Sequence, residues 1–168
     1  MKKILIGVIA IAFLFTSSGC LKGVEEQKCN YDDCAFKAPT GEIEALRQYL
    51  ASNNITATEH CSGLFYVIEN PGTGKNPEAC FRVSVNYKGM LTDGTVFDQS
   101  QQPVTFGLNQ VVRGWTNGVP LVKVGGRIIL YIPPSLGYGA QEIRDGQGTV
   151  RIPANSNLVF EVDVLAAD

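Results

Sequence analysis

From Gly63 onward the chain alternates apolar and polar residues in short runs, the period of half-buried β-strands. Phe81, Val83, Val85 and Tyr87 fall on one side of a run whose other side is Arg82, Ser84 and Asn86. The pattern returns within Leu158 to Leu165, where Leu158, Phe160, Val162 and Val164 share a face. Leu64 to Glu69, closed by Asn70-Pro71-Gly72, and Arg127 to Ile132, stopped by Pro133-Pro134, predict two further strands. Asp93-Gly94 is a tight-turn signal after the Phe81 run. One short helix is expected near Trp115 to Val122, weakened by Gly118 and Pro120. Ahead of this region, Ile43, Leu46, Tyr49 and Leu50 lie on one face of a helix over Glu42 to Ser52, with Asn53-Asn54 at its end. So short a helix is marginal alone, so it is expected to pack on the domain rather than project as a dimerisation or client-binding arm. These elements make an α+β domain: an antiparallel sheet with one short helix, preceded by a short N-terminal helical segment.

The first residues carry a different pattern. Lys2 and Lys3 are followed by an apolar run from Ile4 to Phe15, broken only by Gly7, then by Thr16, Ser17, Ser18, Gly19 and Cys20. The run is too short to serve comfortably as a permanent bilayer span and reads as a secretory signal, residues 1–19. Its Ser-Ser-Gly-Cys ending resembles a bacterial lipobox, in which the Cys carries lipid; Ser17 departs from the aliphatic residue usual there. The expectation is a chain anchored to the cell envelope through a lipid on Cys20, with a tether, a small loop and the short helix over residues 20–62 and the main domain over 63–168. The alternative is an ordinary signal peptide followed by an unlipidated Cys.

Cysteine usage points to the same compartment. Setting Cys20 aside leaves Cys29, Cys34, Cys61 and Cys80, an even set that suggests two disulfides in an exported chain. Three pairings are open; closure of short local loops favours Cys29–Cys34 with Cys61–Cys80. A metal site is not expected: the one His is His60, and no Cys pair has zinc-knuckle spacing. The net charge of −2 and charged fraction of 18% leave no basic footprint for nucleic acid.

Four blocks in order make the domain recognisable. They are Val85-Asn-Tyr-Lys-Gly-Met-Leu-Thr-Asp-Gly-Thr-Val-Phe-Asp98, Val111-Val-Arg-Gly-Trp115 with Gly125-Gly126, Ile132-Pro-Pro-Ser-Leu-Gly-Tyr-Gly-Ala140, and Ile152-Pro-Ala-Asn-Ser-Asn-Leu-Val-Phe-Glu-Val162. Together they resemble the FKBP-type peptidyl-prolyl cis/trans isomerases. The resemblance implies a five-stranded antiparallel sheet wrapped around a short helix and a shallow apolar pocket for a prolyl ring. It implies Trp115 as the pocket floor, Tyr87, Phe97 and Phe160 as aromatic walls, and Val111 and Val112 beside the pocket. The Val112 N–H would bind a substrate carbonyl, Tyr138 would offer its hydroxyl, Asp98 would be a buried polar group at the edge, and Ile152 would cap the rim. Neither metal nor cofactor is required by that reaction.

Some positions depart from the family pattern. Val104 stands where many members carry an aromatic wall residue, the segment Gln99 to Pro103 is short, and the Gly139 to Pro153 loop is long, carrying Glu142, Arg144, Asp145 and Arg151. The resemblance therefore implies an intact floor with an altered rim, a changed client preference and weakened macrolide-inhibitor binding. The expected partners are unfolded or partly folded proline-containing proteins of the envelope. Two other readings stay open: a non-catalytic envelope chaperone or protein-binding module on the same fold, and a surface protein working through its charged loop, Gln141 to Arg151. Read without the resemblance, Trp115, Phe97 and Phe160 are equally well core aromatics, Tyr138 a loop anchor and Asp98 a turn cap.

Overall fold

The computed structural model describes residues 29–168. The expected signal segment, Cys20 and most of the expected tether lie outside the described residues.

Helix α1 spans Thr40–Ser52 and starts directly after Pro39, whose extended backbone sets the entry. Its apolar stripe is buried at Ile43, Leu46 and Leu50, in one core with the β-rich region. Asn53 and Asn54 end it, as their positions suggested. The Asn53 side-chain amide donates to the Tyr49 carbonyl at 2.8 Å, and Asn54 takes the left-handed conformation. The helix thus packs on the domain, through a stripe too small to hold it folded alone.

The strands are β1 (Thr58–Glu59), β2 (Phe65–Asn70), β3 (Arg82–Leu91), β4 (Val96–Gln99), β5 (Val104–Gly107), β6 (Arg127–Ile132), β7 (Ile143–Arg144), β8 (Val150–Ile152) and β9 (Leu158–Ala167). The main sheet runs β1-β2-β6-β9-β3-β4, antiparallel throughout, with β5 also on β3. Strands β4 and β5 lie end to end along one edge of β3. Lys88 to Met90 pair with β4, whereas Arg82 to Val85 pair with β5. Counted as one interrupted edge strand, β4 and β5 complete the expected five-stranded sheet, and β1 adds a two-residue edge beyond it. The charged Gly139–Pro153 segment is itself ordered as the β7–β8 hairpin. Arg144 donates to the Gly148 carbonyl and the Glu142 carboxylate, and Asp145 accepts from the Gln147 and Thr149 amides.

The short helix falls slightly earlier than expected. Helix α2 is Arg113–Gly118, and a 3₁₀ turn over Val119–Leu121 accommodates Pro120. Gly118 is there because of packing rather than propensity. A Cβ at Gly118 would sit 2.5 Å from a Leu130 methyl, and one at Gly114 would sit 2.6 Å from Ile132. These two glycines, one turn apart, let α2 lie directly on β6 and bring Trp115 over the sheet.

The disulfides correct the expected pairing. The bonds are Cys29–Cys80 and Cys34–Cys61, not Cys29–Cys34 and Cys61–Cys80. They do not close local loops; they staple the N-terminal loop to the domain. Sequence separations of 51 and 27 residues correspond to about 4 and about 3.5 kcal/mol in the chain-entropy account. His60 lies beside the second bond, its ring hydrogen-bonded to Ser62 and facing Asp33 at 3.3 Å.

Candidate active site

The sheet, α2 and the loop after β6 form an open cavity of about 470 Å³ lined mostly by aromatic and aliphatic side chains. Trp115 forms its floor and is 3% exposed. Three rings meet its edges or face nearly at right angles: Tyr87 at 5.4 Å, Phe106 at 5.6 Å and Phe160 at 5.2 Å between centroids. Such edge-to-face packing fixes each ring against the others. Strand register sets the walls: Tyr87 lies on β3, Phe106 on β5 and Phe160 on β9.

Phe97 does not line the cavity. It backs Phe160 at 5.5 Å and near-perpendicular, outside the pocket. Both rings cross β3 over Gly89, where a Cβ would lie 2.6 Å from Phe97 and 2.8 Å from Phe160. Ile152 is buried at 3% exposure and likewise does not line the cavity. Asp98 lines it, but is exposed rather than buried as expected, because β4 is the sheet edge. Val111 and Val112 line it as expected.

Phe106 is the wall residue that the sequence reading missed, having placed the aromatic position at Val104. Val104 pairs with Val85 and Phe106 with Val83, so the two β5 side chains share a face and the second carries the ring. The signal was the alternation Val104-Thr105-Phe106 itself. Gln110 also lines the cavity and was not expected.

The polar side chains of the lining are Tyr87, Asp98, Gln110 and Tyr138, beside the Trp115 indole. The Tyr87 hydroxyl donates to Asp98 Oδ2 at 2.6 Å. Burial, reinforced by that carboxylate, holds the Tyr87 phenol far above its ordinary pKa. Burial also pushes the Tyr138 phenol up, with Asp98 adding to the effect. Both tyrosines are therefore neutral donors at physiological pH. The Tyr138 hydroxyl has no hydrogen-bond partner among the described residues, nor has the Val112 backbone N–H, which sits just ahead of α2. Trp115 Nε1 is buried and unpaired too. The arrangement is thus an aromatic cup with two idle donors at its mouth and no Ser, Cys, Lys or His side chain in its lining.

Comparison with known proteins identifies the family. The family model for FKBP-type peptidyl-prolyl cis-trans isomerase matches residues 74–165. The chain is 45% identical over 128 residues to the FKBP-type isomerase FkpA of Aeromonas hydrophila, covering 72% of this chain and 45% of that protein. It is 50% identical over 147 residues to a probable FKBP-type isomerase of Haemophilus influenzae, covering 86% of this chain and 58% of that protein. It therefore spans about half the length of the curated relatives it matches. A peptidyl-prolyl cis-trans isomerase structure from Pseudomonas syringae superposes with a TM-score of 0.66 at 36% identity, covering 79% of this chain and 98% of that one. FkpA from Escherichia coli superposes with a TM-score of 0.65 at 36% identity, covering 76% and 60%. A family match over most of the β-rich region and relatives of substantial identity place this chain in the FKBP-type peptidyl-prolyl cis-trans isomerase family.

Proposed function

We propose that the protein catalyses cis/trans isomerisation of X–Pro bonds in exported or envelope proteins. The observation that carries this reading is the Trp115 cup with the Val112 N–H and Tyr138 hydroxyl unpaired at its mouth. The prolyl ring enters over Trp115, between Tyr87, Phe106 and Phe160. Val112 N–H donates to a substrate carbonyl, and Tyr138 donates to the backbone on the other side of the rotating bond. These two contacts hold the flanking chain while the central amide turns.

No bond is made or broken. The barrier of about 18–20 kcal/mol is amide resonance. Twisting the C–N bond uncouples nitrogen from the carbonyl and reduces the amide dipole, so the twisted form needs less water than the planar one. A cavity lined by rings favours that form over the ground state, which is differential binding of the transition state. Shortening a turnover from about 100 s to about 10 ms requires roughly 5.5 kcal/mol of such preference. In this reading Asp98 fixes the Tyr87 ring through its 2.6 Å hydrogen bond. Phe97 and Ile152 support the site from behind instead of touching substrate. Macrolide inhibitors of the family compete for the same cup, more weakly because the β7–β8 hairpin reshapes the rim.

The site of action is the cell envelope, with residues 1–19 removed and Cys20 lipidated. Supporting this are the basic–apolar–small–Cys order of the first residues and two disulfides, which persist in oxidising compartments. The clients are unfolded or partly folded proline-containing chains. Refolding of a protein limited by a slow prolyl step, with and without the purified protein, tests the foldase role; an unaccelerated slow phase contradicts it. Fractionation of Cys20→Ala tests the anchor. The variant should leave the membrane fraction or accumulate uncleaved, and a processed, membrane-bound variant contradicts lipidation.

A further inference from the structure

A second cavity of about 470 Å³ adjoins the aromatic cup. It shares Val111 and Val112 with the cup, so these two residues form the ridge between them. Its own lining includes Tyr31, Asn109, Arg113 and Ser135, with no acidic side chain. Tyr31 belongs to the N-terminal loop, which the two disulfides and two hydrogen bonds hold against α2. The Tyr31 hydroxyl donates to Asn117 Oδ1 at 2.6 Å, and Asn117 Nδ2 donates to the Asp33 carbonyl at 3.1 Å.

Arg113 is the only charged side chain lining this cavity. Its guanidinium lies 4.4 Å over the Phe36 ring, on the same stapled loop, and forms no ion pair among the described residues. The loop's two carboxylates lie near enough to Tyr31 to act on its phenol, as Arg113 does, but each has another partner. Asp32 accepts from the Cys34 amide, and Asp33 faces His60. Ser135, also in the lining, has its Oγ buried without a partner, and its backbone amide donates to the Glu42 carboxylate at 2.8 Å. A positioned cation and a neutral amide side chain thus line the cavity beside the ridge that carries the Val112 N–H.

We propose that this cavity is a subsite for an acidic side chain flanking the isomerised proline, with Arg113 as its specificity residue. The proposal rests on the isomerase reading of the cup. A client held over Trp115 and hydrogen-bonded to Val112 must run along or across the ridge, which delivers a neighbouring side chain into the second cavity. There Arg113, stacked on Phe36 and so held in place, pairs with a carboxylate, while the Asn109 side-chain amide donates to its second oxygen. The stapled loop, which contributes both Tyr31 and Phe36, makes this subsite a property of the N-terminal segment as much as of the isomerase domain.

The test is peptide binding to the full mature chain, read by fluorescence of Trp115, the single tryptophan. This readout needs no turnover, so a failure of catalysis and a failure of the subsite are separate results. The peptides are centred on Leu-Pro and carry Glu, or Gln in its place, at one flanking position each. At one flank the Glu peptide should bind roughly two- to fivefold more tightly than its Gln twin, the range of an exposed ion pair. That preference should fade toward one at about 0.5 M salt. Arg113→Gln should abolish it and Arg113→Glu should invert it. Lys123→Gln, which removes an exposed cation elsewhere, should leave it intact, with folding of each variant checked by circular dichroism. Equal affinity of Glu and Gln peptides at every position, or a Glu preference that survives Arg113→Gln, overturns the proposal.

Discussion

Replacing Tyr138 with Phe separates catalysis from stability at one atom. The Tyr138 hydroxyl has no intramolecular partner among the described residues, and its ring packs against the core without it. Removing the oxygen therefore breaks nothing in the free protein, and unfolding free energy should stay within about 0.5 kcal/mol of the parent. Substrate binding is where the hydroxyl acts. Losing one neutral hydrogen bond costs about 0.5–1.5 kcal/mol, which lowers kcat/KM roughly 2- to 12-fold. Tyr87→Phe provides the contrast, because that hydroxyl donates to Asp98 at 2.6 Å in the free protein. Asp98 is exposed and regains water when the donor is lost, so the stability cost should be about 1 kcal/mol, a fall of roughly 2–4 °C in Tm. The assay pairs thermal melts with peptide isomerisation at several substrate concentrations. A Tyr138→Phe variant that is destabilised by more than about 1 kcal/mol yet fully active would refute the reasoning, because the hydroxyl would then be structural.

Alkaline pH should weaken the fold through the same two phenols. Their pKa values are raised above the ordinary 10.0 in the folded protein, so their contribution is whole below pH 10 and is lost as pH rises beyond it. Tm should hold level to about pH 9.5 and fall above pH 10, less steeply in a Tyr87→Phe, Tyr138→Phe double variant; an equal slope contradicts the assignment. Non-reducing peptide mapping should recover Cys29–Cys80 and Cys34–Cys61 linked fragments, and a Cys29–Cys34 fragment would contradict the topology. Gly118→Ala should destabilise by about 1–3 kcal/mol despite the better helix propensity of Ala, because its Cβ meets Leu130. A stabilised Gly118→Ala variant in chemical denaturation would show that α2 can move off β6.

The longest strands were legible because the more buried residues recur at every second position, as at Val83 and Val85 or Phe160, Val162 and Val164. The buried stripe of α1 was legible for the same reason at helical period. The disulfide pairing was not, since local loop closure says nothing about where α1 docks; docking is what brings Cys34 to Cys61 and Cys29 to Cys80. Trp115, Tyr87, Val112 and Tyr138 could be placed from ordered motifs, which carry register along with residue type. Phe106 escaped because the break between β4 and β5 shifts the edge strand relative to β3, and a shift of two residues keeps the face while changing the residue. Phe97 and Ile152 were read as pocket lining because a motif fixes neighbourhood but not which side of a neighbouring ring a side chain takes. The burial of Asp98 was misread because edge position is a property of the sheet, not of the Phe-Asp pair.

The central claim is that the Trp115 cup accelerates rotation about X–Pro bonds. Its most direct measurement is protease-free relaxation of a Leu-Pro peptide after a solvent jump, followed against concentration of the folded protein. The relaxation rate should rise linearly with protein concentration and fall back when Trp115 is replaced by Leu in a variant that remains folded. A well-folded wild-type protein that leaves the uncatalysed rate of every X–Pro peptide unchanged would contradict it.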